Sequence, residues 1–158
     1  MANIHRYYNR ICKEIETNSK IYNSIITYYI SNITYNIDFE YKFNGEKYNV
    51  DINLTNNYPF SPPIEVKINN KEYTSNCISD PTTLNILQKY YNKHCLWCES
   101  LLCHNNWSPT ITMCDIAYEC INNDNIIKTI KKFSIIMKKT NKLPMDVEKH
   151  ILSFCFTI

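Results

Sequence analysis

The sequence predicts an α+β domain with an N-terminal helix, an antiparallel meander sheet and C-terminal helices. Three observations predict it. Apolar residues near the N-terminus recur at helical spacing, residues 33–54 alternate with period two about one Asn-Gly pair, and helical spacing returns after Pro109. Strands grouped ahead of helices are the pattern of an α+β fold.

The elements follow in chain order. Ile4, Tyr8, Ile11 and Ile15 fall on one helical stripe, with Arg6, Arg10, Lys13 and Glu14 largely off it. Residues 19–31 are rich in β-branched residues and tyrosine, and leave helix and strand equally open. Ile33, Tyr35, Ile37, Phe39, Tyr41 and Phe43 then alternate with polar residues, which makes a strand with one buried face. Asn44-Gly45 predicts a type I′ hairpin, because both residues tolerate positive φ, and it holds the only glycine in the chain. Tyr48, Val50, Ile52 and Leu54 carry the return strand, and residues 64–68 supply a third. Residues 74–107 read as irregular, with a short helical piece over 84–91. Beyond Pro109, with Thr110, Thr112 and Asp115 at its start, one helix runs through Ile111, Ile116 and Ile121. A second covers 126–139 with a basic outer face. Leu143-Pro144 breaks the chain before a last amphipathic piece, 145–158. The division is a core domain over residues 1–140 and a short helical appendage over 141–158.

Bulk properties exclude several classes of function. At 158 residues with 44% hydrophobic content, the chain buries a real core. A formal charge of +2 with 20% charged residues argues against a nucleic-acid-coating protein. No apolar run reaches the roughly 18–20 residues of a membrane span, and Met1-Ala-Asn-Ile-His-Arg6 lacks the apolar segment of a signal peptide. The eight cysteines are therefore expected as reduced thiols in an intracellular compartment, cytoplasmic or nuclear. Heavy use of Asn, Ile, Lys and Tyr reflects AT-rich codons and carries no functional message.

Four segments carry a family resemblance. They are Arg10-Ile-Cys-Lys-Glu-Ile15; Tyr48-x-Val-x-Ile-x-Leu54 leading to Tyr58-Pro-Phe-Ser-Pro-Pro63; Tyr73-Thr-Ser-Asn76; and Trp107-Ser-Pro-Thr-Ile-Thr112. In this order they resemble the first helix, the third strand with its proline loop, the Tyr-His-Pro-Asn turn and the Trp-Ser-Pro turn of the ubiquitin-conjugating enzymes. The match spans roughly residues 5–121 and implies a ubiquitin-conjugating-enzyme-like fold. X-Pro steps hold the proline loop extended, and Pro109 suits a position just inside a helix start.

The resemblance also implies chemistry. Family members accept ubiquitin on a cysteine thiolate as a thioester, and a lysine amine then attacks it. Cys98-Glu-Ser-Leu-Leu102 reproduces the apolar pair that follows the family cysteine, with one extra residue before Trp107. Cys98 is the preferred nucleophile; Cys95 and a chain without any catalytic cysteine are the alternatives. Cys103 lies too close to the tryptophan. Asn76 matches the family asparagine, whose amide donates to the oxyanion formed during attack or braces the loop; alternatively it caps a turn. Two departures stand out: Thr74-Ser75 replaces His-Pro, and 22 positions separate Asn76 from Cys98, far more than in the family. Asp124 is the nearest counterpart of the acidic residue beyond the second helix.

Implied partners are ubiquitin or a ubiquitin-like modifier, the activating enzyme, a ubiquitin ligase and a protein substrate, with no nucleic acid and no membrane. Arg10, with Arg6 and Lys13, suits an acidic partner surface, while Phe60 and Pro109 suit an apolar one. A solvated helix face and a local plug are their bland counterparts. No cofactor or metal is expected. Even so, Cys77 and His94-Cys95-x2-Cys98-x4-Cys103-His104 are dense in soft ligands, and a structural zinc there would exclude Cys98 as nucleophile. Lys131, Lys132, Lys138 and Lys139 read as a solvated face. Leu143-Pro-Met-Asp-Val-Glu-Lys-His-Ile-Leu-Ser-Phe154 resembles the opening of an F-box, but a packed terminal helix is the preferred reading.

Overall fold

The computed structural model describes residues 2–29, 34–73, 81–91, 97–139 and 143–155. It is an α+β structure in two compact units, Met1–Thr74 with Cys98–Ile121, and Ser75–Trp97 with Asn122–Ile158.

The first unit begins with helix α1, Ala2–Thr17. Of its apolar stripe, Ile11 is fully buried, while Tyr8 is 41% exposed. The helix closes where the Thr17 hydroxyl donates to the Lys13 carbonyl (2.6 Å). Asn18 then turns the chain, its carbonyl accepting from the Ile21 N–H at 3.0 Å.

A five-stranded antiparallel sheet follows in sequential order: β1 Ile21–Tyr29, β2 Thr34–Phe43, β3 Glu46–Thr55, β4 Glu65–Ile68 and β5 Lys71–Glu72. The segment that left helix and strand open is strand β1. Pairing with β2 decides it, as β-branched and tyrosine residues fit a pleated surface. The β2–β3 hairpin pairs without a break from Thr34↔Thr55 to Phe43↔Glu46. Its turn has the expected left-handed pair, Asn44 at φ 48° and Gly45 at φ 82°. Tyr35, Ile37, Phe39, Tyr41 and Phe43 are buried, as are Tyr48, Val50, Ile52 and Leu54, so every alternate residue of the hairpin faces the core. β4 extends this face with Val66 and Ile68. The meander therefore has more strands than the three expected, because β1 was undecided and β5 is only two residues long. β5 follows a turn of two asparagines, Asn69 and Asn70, both at positive φ.

The helix after the sheet corrects the expectation. Residues 113–139 form one continuous helix, Met113–Lys139, where two helices were expected; α2, Pro81–Tyr91, precedes it. In this long helix, α3, the run Asn122-Asn-Asp-Asn125 looks like a break because Asn and Asp are weak helix formers. Each costs only a fraction of a kcal/mol, and an Asp124–Lys128 ion pair at i,i+4 (2.7 Å) ties the run to the turn that follows it. Nor does Pro109 lie just inside the helix. The start is set by a capping box, in which Asp115 Oδ2 accepts from the Thr112 N–H (2.9 Å) and Thr112 Oγ1 from the Asp115 N–H (3.2 Å). Pro109 lies in the turn ahead of it, closed by the Ile111 N–H donating to the Ser108 carbonyl (3.0 Å).

In the second unit Leu87, Ile127, Ile130, Phe133 and Leu152 are buried. Helix α4, Met145–Cys155, is tied to α2 by Glu148, only 8% exposed, which pairs with Lys89 at 2.7 Å. The side chain of Phe154, which ends the F-box-like stretch, and residues 156–158 lie outside the description.

Candidate functional site

Glu14 organises one side of the first unit. Its carboxylate accepts from Arg10 Nε (2.8 Å), the Met113 N–H (3.1 Å) and the Tyr58 hydroxyl (3.5 Å). One side chain of α1 thus caps the start of α3 and grips the proline loop. Tyr58 is 1% exposed. Burial, and then the Glu14 charge, raise its phenol well above the usual range, so it remains a proton donor. The Arg10 guanidinium lies over the Tyr58 ring (5.4 Å to the centroid) and donates to the Ile111 carbonyl at 3.3 Å.

Beyond Tyr58 the chain runs into Pro59 through a cis peptide bond. The Trp107 indole N–H donates to the Pro59 carbonyl (2.8 Å), which joins the proline loop to the Trp-Ser-Pro turn. Phe60 is left 66% exposed, its ring edge-on to Tyr7 with centroids 6.3 Å apart. The result is an open groove of about 500 Å³ lined by Tyr7, Asn9, Arg10, Lys13, Pro59, Phe60 and Pro109. Arg10, Phe60 and Pro109, three residues singled out as partner-binding in the sequence, meet here. Arg10 also has a second task, since its guanidinium is spent partly on Glu14.

The cysteine loop is built separately. Cys98 lies in a single 3₁₀ turn, Trp97–Glu99, and is exposed. The loop behind it is anchored to α3 through Glu119, whose carboxylate accepts from the buried Ser100 hydroxyl and from the Leu101 N–H (2.7 Å). The Asn106 amide donates to the carbonyls of Cys98 (2.7 Å) and Ser100 (3.0 Å). The Asn106 and Trp107 N–H groups both donate to the Cys103 carbonyl. Cys98 therefore presents its side chain to solvent from a braced backbone.

Two other thiols are in no position to react. Burial, with help from the Glu14 and Asp115 charges, pushes Cys114 up to about 12. Burial, and then Glu119, push Cys120 well above the ordinary thiol value. Both are core groups.

Glu14, Asn106 and Glu119 were not anticipated as site residues. The sequence traces of Glu14 are its place in the Arg10–Ile15 motif and its i,i+4 spacing from Arg10, neither of which shows the reach to Met113 and Tyr58. Asn76, Cys95, Cys77 and His94 lie outside the described residues. Asp124 belongs to the second unit, where it pairs with Lys128. Among the described residues no three His, Cys, Asp or Glu groups are placed to hold a metal ion, and no helix is long and apolar enough to cross a membrane. No protein-family model, curated protein or solved structure matches the chain.

Proposed function

We propose that this chain is a divergent ubiquitin-conjugating acyltransferase of ubiquitin-conjugating-enzyme-like fold. Ubiquitin, or a ubiquitin-like modifier, is its cargo and Cys98 its nucleophile. The observation that carries the reading is the exposed Cys98 on a loop braced by Asn106 and Glu119, a short distance ahead of the Trp107-Ser-Pro109 turn.

The chemistry follows from a thiolate at that place. The Cys98 thiolate attacks the modifier's C-terminal thioester carbonyl on the activating enzyme; the new C–S bond forms as the old one breaks, and the activating enzyme leaves as a thiolate. A substrate lysine amine then attacks the Cys98 thioester, gives up its proton, forms the isopeptide bond and releases the Cys98 thiolate. By resemblance, Asn76 donates to the tetrahedral oxyanion. The groove of Arg10, Phe60 and Pro109 is the docking face for the activating enzyme and the ligase. The exposed Phe60 supplies an apolar anchor, and Arg10 and Lys13 supply positive charge. The reading involves no cofactor.

A second reading keeps the scaffold and the groove without the chemistry, as a binding module for ubiquitin or a ligase. The 22-position interval from Asn76 to Cys98 favours it. Incubation with activating enzyme, ATP and ubiquitin, resolved on non-reducing gels, separates the two. The enzyme reading expects a thiol-sensitive adduct that disappears in Cys98→Ala and survives in Cys95→Ala. Loss only in Cys95→Ala moves the nucleophile to Cys95. No adduct with any modifier, from a demonstrably active activating enzyme, favours the binding module.

A further inference from the structure

We propose that the outer edge of β1, which no strand among the described residues pairs, is a self-association surface, where a second copy of this chain adds its own β1 antiparallel to residues 25–29 and continues the sheet. This inference stands apart from the acyl-transfer reading and uses none of its residues.

The two edges of the sheet are built differently. β5 is two residues long, Lys71-Glu72, both charged and both exposed. Short, charged edge strands are the usual protection against unwanted pairing. β1 runs nine residues, Ile21–Tyr29, without one charged side chain. Its register places Tyr22, Ile25, Thr27 and Tyr29 opposite Glu40, Asp38, Asn36 and Thr34. These positions share the face away from the core, because Ile37 and Tyr41 on the alternate positions of β2 are buried. On β2, β3 and β4 the outward residues are polar, Asn36, Asp38, Glu40, Asp51 and Lys67 among them. On β1 the same face carries Tyr22, Ile25 and Tyr29, which are 42%, 64% and 49% exposed. The pattern that keeps the rest of the sheet wet is reversed on the edge that no described strand pairs.

The regular stretch of that edge is well defined. A bulge between Tyr22 and Ile25, with Asn23 at φ 47°, bends the first part of the strand. Residues 25–29 then pair with β2 one for one. A two-fold axis at Thr27 sets Ile25 of one copy against Tyr29 of the other, the aromatic and β-branched pairing that stabilises antiparallel ladders.

Electrostatics select a second copy. The seam is neutral on both sides. The acidic rows of β2 in the two copies lie three strand spacings apart, about 14 Å. That exceeds the Debye length of about 8 Å at physiological salt, so the rows barely repel. An acidic or basic segment gains nothing from a neutral edge, whereas β1 matches itself in chemistry and length.

Sedimentation velocity of the full chain under reducing conditions tests this. The expected result is a concentration-dependent monomer–dimer equilibrium that Ile25→Lys and Thr27→Lys each shift to monomer, with unchanged circular dichroism. Ile64→Lys, at a 59% exposed site away from this edge, leaves the dimer intact. Amide exchange of residues 25–29 slows as wild-type concentration rises. A wild-type monomer at every concentration overturns the proposal. So does a dimer that survives both β1 lysines, or one lost equally in Ile64→Lys.

Discussion

Replacing Glu119 by alanine removes the acceptor for both the Ser100 hydroxyl and the Leu101 N–H, the two bonds that hold the cysteine loop to α3. Hydrogen bonds to a charged group contribute about 1.5–3 kcal/mol each. Glu119 is only partly buried, so the lower end applies, and Glu119→Ala should cost about 3 kcal/mol. Ser100→Ala removes one of these bonds and also frees the Leu102 N–H, which donates to Ser100 Oγ at 3.1 Å. Its expected cost is about 1.5–2.5 kcal/mol. Because the two side chains share a bond, the double variant should be about 1–1.5 kcal/mol more stable than the sum of the singles predicts. Urea unfolding of the four proteins measures this cycle. If the single costs add to within about 0.5 kcal/mol, the loop is not held through this pair and the account of the brace fails.

Glu14→Ala takes the carboxylate from Arg10, Tyr58 and the α3 N-terminus together, so a loss of about 2–3 kcal/mol in urea unfolding is expected, with Glu14→Gln retaining part of it. Gly45→Ala should lose about 1–2 kcal/mol through left-handed backbone strain alone, since an added Cβ meets nothing within 4 Å; an unchanged melting temperature contradicts the turn geometry. Asp51 titrates above the ordinary aspartate value, first from burial and then from the Asp38 charge. Its folded form holds the proton more tightly than the unfolded chain, so its contribution to stability falls as pH rises through the folded pKa. Asp51→Asn should therefore raise the melting temperature at neutral pH, and the gain should shrink on acidification toward the unfolded value; a gain independent of pH refutes the assignment.

The parts of the fold legible in sequence are those set by neighbours in the chain. The β2–β3 hairpin announces itself because period-two alternation and Asn44-Gly45 are local signals; the start of α3 reads too early, at Pro109, although its Thr112/Asp115 cap lies within four residues. β5 stays hidden because two residues carry no period and the Asn69-Asn70 turn uses asparagine where glycine is the usual mark. α3 reads as two helices because propensity weighs Asn122–Asn125 without the buried Ile121 and Ile127 that flank it. Arg10, Phe60 and Pro109, singled out from motif position, line one groove. The bonds that build it run from Glu14 to Met113, from Trp107 to Pro59 and from Glu119 to Ser100. Partners so far apart leave no periodicity to read.

The Trp107 bond to Pro59 gives the molecule a built-in optical probe. The indole N–H is spent on a carbonyl next to Phe60, and the ring lies 6.2 Å from Tyr58, so its emission depends on the posture of the proline loop. The chain has two tryptophans. With Trp97 replaced by phenylalanine, the remaining fluorophore sits between the groove and the cysteine loop. Any occupant that moves Phe60 then registers as a change in colour or intensity, without a label attached to either partner.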